Sequence, residues 1–253
     1  FGLNGFASCK EMLPFLLRHK YKSLKSVDIF SIVMIIFPLS PYNYGNAMYI
    51  TNDRSDLILD LISEQHKSSL KITDLGCNDG ATLCGLKKSG YFGREAEFHG
   101  VDYSDVAAGH DEIAFHQADL NGSLSGISSL LESSELILLL DVLEHLQSPE
   151  QFLEALSEIL NQKSKIIITV PNASSVRLLL AWLKGDFPRE DIGFFDRTHR
   201  SWFSKKALTK IVSSKFSILD QGYIYSKNKT IKMIQKINSV RLTSQIYICI
   251  SIK

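Results

Sequence analysis

The rhythm of apolar and polar positions changes near residue 53. Upstream, residues 1–50 show no regular alternation, and Pro38, Ser40, Pro41, Asn43, Gly45 and Asn46 crowd turn formers together. This predicts an N-terminal appendage that ends in a loop. Its longest apolar run, Val27 to Leu39, is broken by Asp28 and Ser31 and is shorter than the roughly 20 residues that cross a bilayer. It reads as a buried helix or strand, and it has neither the position nor the cleavage site of a signal peptide. From Asp53 onward, Leu57, Ile58, Leu61 and Ile62 recur at helical spacing, and Leu70 to Leu75 forms an apolar strand that stops at a glycine turn.

The alternation then repeats. A helix is predicted from Ala81 to Lys88, a strand ending in Phe98-His99-Gly100-Val101-Asp102, a short strand from Ile113 to His116, a strand from Glu135 to Leu140, a helix from Pro149 to Leu160 and a strand from Lys165 to Val170. Strands that alternate with helices indicate a parallel sheet covered on both faces. Leu136 to Leu140 and Ile166 to Val170 are continuously apolar, as central strands should be. A connection rich in aromatic and charged residues follows from Pro171 to Phe203, then a helix from Ser204 to about Ser213, a strand from Phe216 to Asp220, a basic helical stretch from Lys227 to Lys236 and a strand from Gln245 to Ile252. Long connections inside a domain are usually functional or disordered, so 171–203 is expected to form a lid or substrate segment, the plain alternative being that its aromatic residues pack on the sheet. The predicted fold is α/β: a doubly wound, mostly parallel sheet over residues 51–253 with a C-terminal antiparallel strand, preceded by the appendage.

Of the 253 residues, 45% are hydrophobic and 22% charged, which suits a compact core and excludes a disordered chain. The 28 basic and 27 acidic residues leave a net charge of +1, so no global field gathers nucleic acid or an acidic membrane. The stretch Lys227, Lys229, Lys232 and Lys236 is most simply a solvated helix face, with peripheral contact to an acidic ligand or membrane surface as the alternative. Cys9, Cys77, Cys84 and Cys249 are far apart and form no metal or disulfide pattern, which points to reduced thiols and a cytoplasmic setting. The chain opens on Phe1 rather than Met, as a fragment would.

Chemistry concentrates at strand ends. Thr73-Asp74-Leu75-Gly76-Cys77-Asn78-Asp79-Gly80 joins the first strand to a helix, the place where open α/β sheets bind cofactors. As a dinucleotide fingerprint it fails, because Asn78 and Ala81 stand where the second and third glycines belong. It resembles motif I of class I S-adenosylmethionine (SAM)-dependent methyltransferases, D-x-G-C-x-x-G. The similarity continues in order through Gly100-Val101-Asp102-Tyr103-Ser104, His116-Gln117-Ala118-Asp119-Leu120, Leu136 to Leu146 and Ile166 to Asn172. Phe195 to Ser204, containing Asp196-Arg197-Thr198-His199, resembles a segment of the bacterial methyltransferases grouped with the ubiquinone-biosynthesis O-methyltransferases, with its arginine shifted to Arg200.

The resemblance implies a Rossmann-like fold, SAM as cofactor and methylation of a small-molecule acceptor, favouring oxygen. It implies cofactor contacts from Asp74, Gly76, Cys77, Asn78, Gly80, Asp102, Tyr103, Asp119, Leu120 and Asp141. Asp102 would receive the ribose hydroxyls, a task suited to an acceptor-only carboxylate, and Asp119 the adenine amino group. Asn78 tolerates left-handed backbone better than most residues and should replace glycine without loss of binding. Asp141, Glu144 and His145 follow the fourth strand, where they could hold the methionine ammonium, bind a metal or deprotonate the acceptor. The plain alternative is a helix-capping Asp141 beside a solvated Glu144-His145 pair. No metal is expected, and His145 and His199 are the candidate catalytic residues. A SAM-binding partner without turnover and an NAD-dependent enzyme are the alternative functions. A nucleic-acid methyltransferase would be expected to carry a basic face or an Asn/Asp-Pro-Pro-aromatic motif, which Val170-Pro171-Asn172 is not.

Overall fold

The computed structural model describes residues 54–62, 70–106, 111–185, 187–225, 232–233, 235–236 and 238–253. The chain divides into two compact units, Phe1–Asn46 and Ala47–Lys253. The first unit lies outside the described residues, as do Lys227 and Lys229 of the basic stretch. Among the described residues no helix is long and apolar enough to cross a membrane.

The second unit begins with α1 (Ser55–Leu61), β1 (Lys71–Leu75), α2 (Ala81–Lys88), β2 (Glu97–Asp102) and β3 (Ala114–Gln117). It continues through α3 (Ser128–Ser133), β4 (Leu136–Leu140), α4 (Pro149–Ile159), β5 (Lys165–Pro171) and α5 (Val176–Leu183). It ends with α6 (Lys205–Val212), β6 (Phe216–Ile224), α7 (Ser239–Leu242) and β7 (Gln245–Ile252). The seven strands form one sheet in the order β3-β2-β1-β4-β5-β7-β6. Only β7 runs antiparallel to its neighbours. This is the expected doubly wound, mostly parallel sheet with an antiparallel C-terminal strand.

Burial follows from the sequence pattern. β4 and β5 lie in the middle of the sheet, and Ile137, Leu138, Ile166 and Ile168 are buried on its two faces. In β7 the buried Ile246, Ile248 and Ile250 alternate with half-buried Tyr247 and Cys249, the period of a strand with one covered face. Pro149 in the first turn starts α4, and the Ser204 hydroxyl accepts the Ala207 N–H at 3.2 Å to cap α6.

Three elements depart from the expected ones. α5 falls inside the supposed irregular connection, because Leu178 to Leu183 is apolar at nearly every position and gives no helical period; Leu179, Trp182 and Leu183 remain exposed. α3 was hidden by its serines, which read as loop. β6 runs on to Ile224 past the predicted end at Asp220, because a bulge between Ile218 and Asp220 breaks the alternation and turns Leu219 to solvent.

The order of strands places the site. β1 connects on one side to β2 and on the other to β4, so the chain segments leaving β1 and β4 diverge and open a crevice at their carboxyl ends. Its floor depends on the buried centre of β4. Leu138→Ala, at a fully buried position beside Asp74 of β1 and Ile167 of β5, should cost about 2–5 kcal/mol. Urea unfolding checks this: the midpoint should fall with an unchanged slope, and a loss under about 1 kcal/mol would mean that this part of the core is loosely packed.

Candidate active site

The turn after β1 is built from close approaches. Gly76 has φ +81°, and a Cβ there would lie 2.6 Å from Val142 Cγ2. A Cβ on Gly100 of β2 would lie 2.7 Å from Cys77 Sγ, so this glycine lets the turn settle against the next strand. Gly76 and Cys77 donate their N–H groups to Val101 O at 2.7 and 3.1 Å. Asn78 adopts φ 49°, the left-handed conformation expected of it in place of glycine.

Asp74 ends up 3% exposed beside this turn, its Oδ1 without a hydrogen-bond partner among the described residues. Burial pushes its carboxyl up from 3.8 to about 7, against the pull of Arg54 and with added repulsion from Asp102. Asp102, 7% exposed at the end of β2, accepts the Asn78 N–H on Oδ2 at 2.9 Å and the Ser104 N–H and hydroxyl on Oδ1 at 3.0 Å. It therefore orders the turn as well as facing the crevice edge. Tyr103 beside it is 75% exposed, Asp119 is an exposed residue whose Oδ1 accepts the Asn121 N–H, and Leu120 is buried.

A cavity of about 260 Å³ opens at the ends of β1 and β4, lined by Asp74, Gly76, Cys77, Asn78, Asp79, Thr82, Asp141, His145 and Arg54, among others. It gathers Asp74, Gly76, Cys77, Asn78, Asp141 and His145 from the predicted set. Asp102, Tyr103, Asp119 and Leu120 lie outside its wall, along the β2 and β3 ends of the same sheet edge.

Arg54 was not foreseen. It precedes α1 in a stretch where nothing but an apolar period drew attention, and only the fold carries it to the crevice. Its Nη2 lies 2.6 Å from Asp141 Oδ2, its Nη1 donates to Thr169 Oγ1 at 3.3 Å, and its backbone N–H donates to Thr82 Oγ1 at 3.1 Å. Asp141 also receives Thr169 Oγ1 at 2.9 Å and Gln245 Nε2 at 2.7 Å, and it holds φ 56°. It caps no helix: Val142 stands at the N-cap of the 3₁₀ turn Leu143–His145.

Nor are Glu144 and His145 a solvated pair. Glu144 is 1% exposed, and burial, with repulsion from Asp141, holds its carboxyl well above the usual range. Its carbonyl accepts the N–H groups of Arg200 and Ser201 at 2.7 and 3.1 Å, which stitches the 171–203 segment to the turn after β4. His199 packs edge-on against His145 with ring centroids 4.8 Å apart, and its Nε2 lies 4.0 Å from Glu144 Oε1. Burial and His145 lower the His199 pKa, so the shifts of both Glu144 and His199 favour their uncharged forms. Phe194, Phe195, Phe187 and Trp202 surround this corner in edge-on and tilted ring contacts.

The chain matches the model of the methyltransferase domain family over residues 50–214. No match was found among curated proteins. Solved structures with the same fold include an S-adenosylmethionine-dependent methyltransferase from Mesorhizobium loti (16% identity, TM-score 0.53, 78% of this chain and 96% of that one). A SAM-dependent methyltransferase from Aquifex aeolicus follows at 13% identity and TM-score 0.52, over 79% of this chain and 90% of that one. The PH0226 protein of Pyrococcus horikoshii is similar at 15% identity and TM-score 0.52, over 78% and 87%. The chain belongs to the methyltransferase-domain family, the class of SAM-dependent enzyme that its strand-end motifs resemble.

The buried carboxyl of Asp74 carries a consequence for stability. The folded ligand-free protein keeps the Asp74 proton up to about pH 7, whereas the unfolded chain loses it near 3.8. Stability contributed at this site therefore falls as pH rises between those values and stays low above them. Asp74→Asn should raise the stability of ligand-free protein at pH 8 by on the order of 3 kcal/mol and leave it nearly unchanged at pH 4. Thermal melts at both pH values test this, and a variant less stable than wild type at pH 8 would contradict it.

Proposed function

We propose that the protein transfers a methyl group from SAM to a hydroxyl of a small-molecule acceptor. The observation that carries this reading is the meeting of two groups in the cavity: the buried Asp74 carboxyl, whose Oδ1 has no hydrogen-bond partner among the described residues, and the guanidinium of Arg54. The methionine end of SAM is a zwitterion, and such a pair suits its ammonium and carboxylate respectively. Asp141, whose oxygens are taken by Arg54, Thr169 and Gln245, would set the Arg54 guanidinium in place. Gly76, Cys77, Asn78 and Gly80 would let backbone approach the cofactor closely. Asp102 keeps lone pairs for the ribose, and Tyr103, Asp119 and Leu120 would flank the adenine.

When bound, SAM supplies a methyl group activated on a sulfonium sulfur. The protein's part is to align the acceptor and exclude water. The segment 171–203 would form the acceptor wall: it leaves β5 at the ligand edge and is pinned near both ends, by Ala173 N–H to Phe203 O at 2.9 Å and by the contacts to Glu144. Its aromatic residues give an apolar surface with few polar groups, the make-up of a small-molecule pocket. Hydroxyl acceptors are favoured because His145 lines the cavity, with His199 packed edge-on against it, and an imidazole nitrogen there is placed to accept a hydroxyl proton.

SAM affinity should depend on pH through Asp74. Only its charged form attracts the ammonium, so affinity should hold above about pH 7 and fall by roughly tenfold per unit below it. Titration calorimetry at pH 6, 7 and 8 checks this, with Asp74→Asn expected to abolish the dependence along with most of the affinity. A flat profile in the wild type would place the ammonium elsewhere. Incubation with labelled SAM and phenols or catechols should yield O-methyl products, with amines left unmethylated; SAM binding with no turnover would favour a non-catalytic partner protein.

A further inference from the structure

We propose that Asp196 and Thr198 are positioning residues that hold His145 in a single tautomer, with the proton on Nδ1 and a free lone pair on Nε2. In this tautomer His145 accepts the proton of the acceptor hydroxyl. The catalytic consequence rests on the O-methylation reading above, whereas the tautomer itself does not.

The argument is a count of hydrogens. The Thr198 hydroxyl has one proton, and it donates that proton to Asp196 Oδ1 at 2.6 Å. The Thr198 N–H donates to the same oxygen at 2.8 Å, fixing the hydroxyl's direction. Thr198 Oγ1 lies 2.9 Å from His145 Nδ1. Having given its proton to Asp196, it can only accept there, so Nδ1 carries the hydrogen. Nε2 is then a bare acceptor, and it makes no hydrogen bond among the described residues.

The arrangement goes beyond a local turn. Asp196 and Thr198 complete their own turn with the His199 N–H on Asp196 O at 3.1 Å, and that turn needs nothing from residue 145. His145 comes from a separate element, the turn after β4, 53 positions away in the chain, and it lines the cavity. Flipping the ring would break the Thr198 bond. His199 lies edge-on against His145 and is itself packed on Trp202 at 5.6 Å between centroids, which confines the ring.

The logic is that of a base oriented by a carboxylate, here with a hydroxyl between them. As the acceptor oxygen takes the methyl group and the sulfonium becomes a neutral thioether, the hydroxyl proton passes to His145 Nε2. The resulting imidazolium shares its Nδ1 proton with Thr198 Oγ1, and the Asp196 carboxylate lies behind it. The Nε2 proton then leaves to solvent.

The test uses the full chain with ¹⁵N-labelled histidine, the His145 signals being identified by their loss in His145→Gln. In the wild type, Nδ1 should resonate as a protonated nitrogen and Nε2 as an unprotonated one. Thr198→Val should move the ring toward the Nε2–H form, and Thr198→Ser should keep the wild-type pattern. An Nε2–H ring in the wild type, a pattern unmoved by Thr198→Val, or a divalent ion bound at Nε2 would overturn the proposal. With SAM and catechol as acceptor, Thr198→Val should lower kcat by about tenfold or more while KM stays within about twofold, and Thr198→Ser should restore kcat. Equal activity of Thr198→Val and wild type would overturn the catalytic part. If catechol, phenol and amine probes are all left unmethylated by a wild type that binds SAM, the O-methylation reading fails and the catalytic part falls with it; the tautomer is decided by the nitrogen shifts alone.

Discussion

The carboxylate of Asp141 ties the crevice together. It receives Arg54 from the chain before α1, Thr169 from β5 and Gln245 from β7, while its own backbone turns the chain sharply out of β4. A non-glycine residue at φ 56° persists only where its surroundings fix it, and here they do so with three side chains and the Asp141 N–H on Thr169 O. The turn that follows carries Glu144 inward and His145 to the cavity wall. The same contact sets the Arg54 guanidinium facing Asp74. Without Asp141 the crevice would lose both its cation and the direction of its candidate base.

The electrostatics of the site follow from burial more than from pairing. Asp74, Glu144 and His199 are each shifted toward their uncharged forms, with desolvation the largest cause in all three. In the ligand-free protein this is a cost that a zwitterionic ligand relieves at Asp74, since an ammonium restores the charged carboxylate. Glu144 and His199 have no such ligand in the proposed mechanism; both side chains are buried, and His199, packed on Trp202, backs His145. In the proposed reading the nearby side chains divide into groups that would meet the cofactor and groups that would direct the proton.

Much of this was legible in the sequence, for definite reasons. β4 declares itself as a buried strand by five apolar residues in succession and β5 by Ile166 to Val170, interrupted only by Thr169, and Asp74, Asp102 and Asp119 by standing at strand ends. The antiparallel β7 shows its single covered face in the alternation of Ile246, Ile248 and Ile250. What stayed hidden was either non-local or without a period. Arg54 lies 87 positions from Asp141, and no local pattern announces the pair. α5 is apolar at every position from Leu178 to Leu183, so it shows no helical period and reads as part of the connection. Glu144 reads either as a site residue or as a solvated acid, because a lone carboxylate in sequence carries no sign of burial. The hydrogen-bond direction from His145 through Thr198 to Asp196 needs coordinates, since it joins residues 53 positions apart in the chain.

The central claim is that the crevice between the β1 and β4 turns is a SAM site, and direct calorimetric titration of the whole chain with S-adenosylhomocysteine at pH 8 tests it most directly. The account predicts saturable binding with one site per chain, matched by a rise in thermal stability and weakened strongly by Asp102→Ala in protein that remains folded. Folded wild-type protein that shows neither heat nor a thermal shift at millimolar ligand would contradict it.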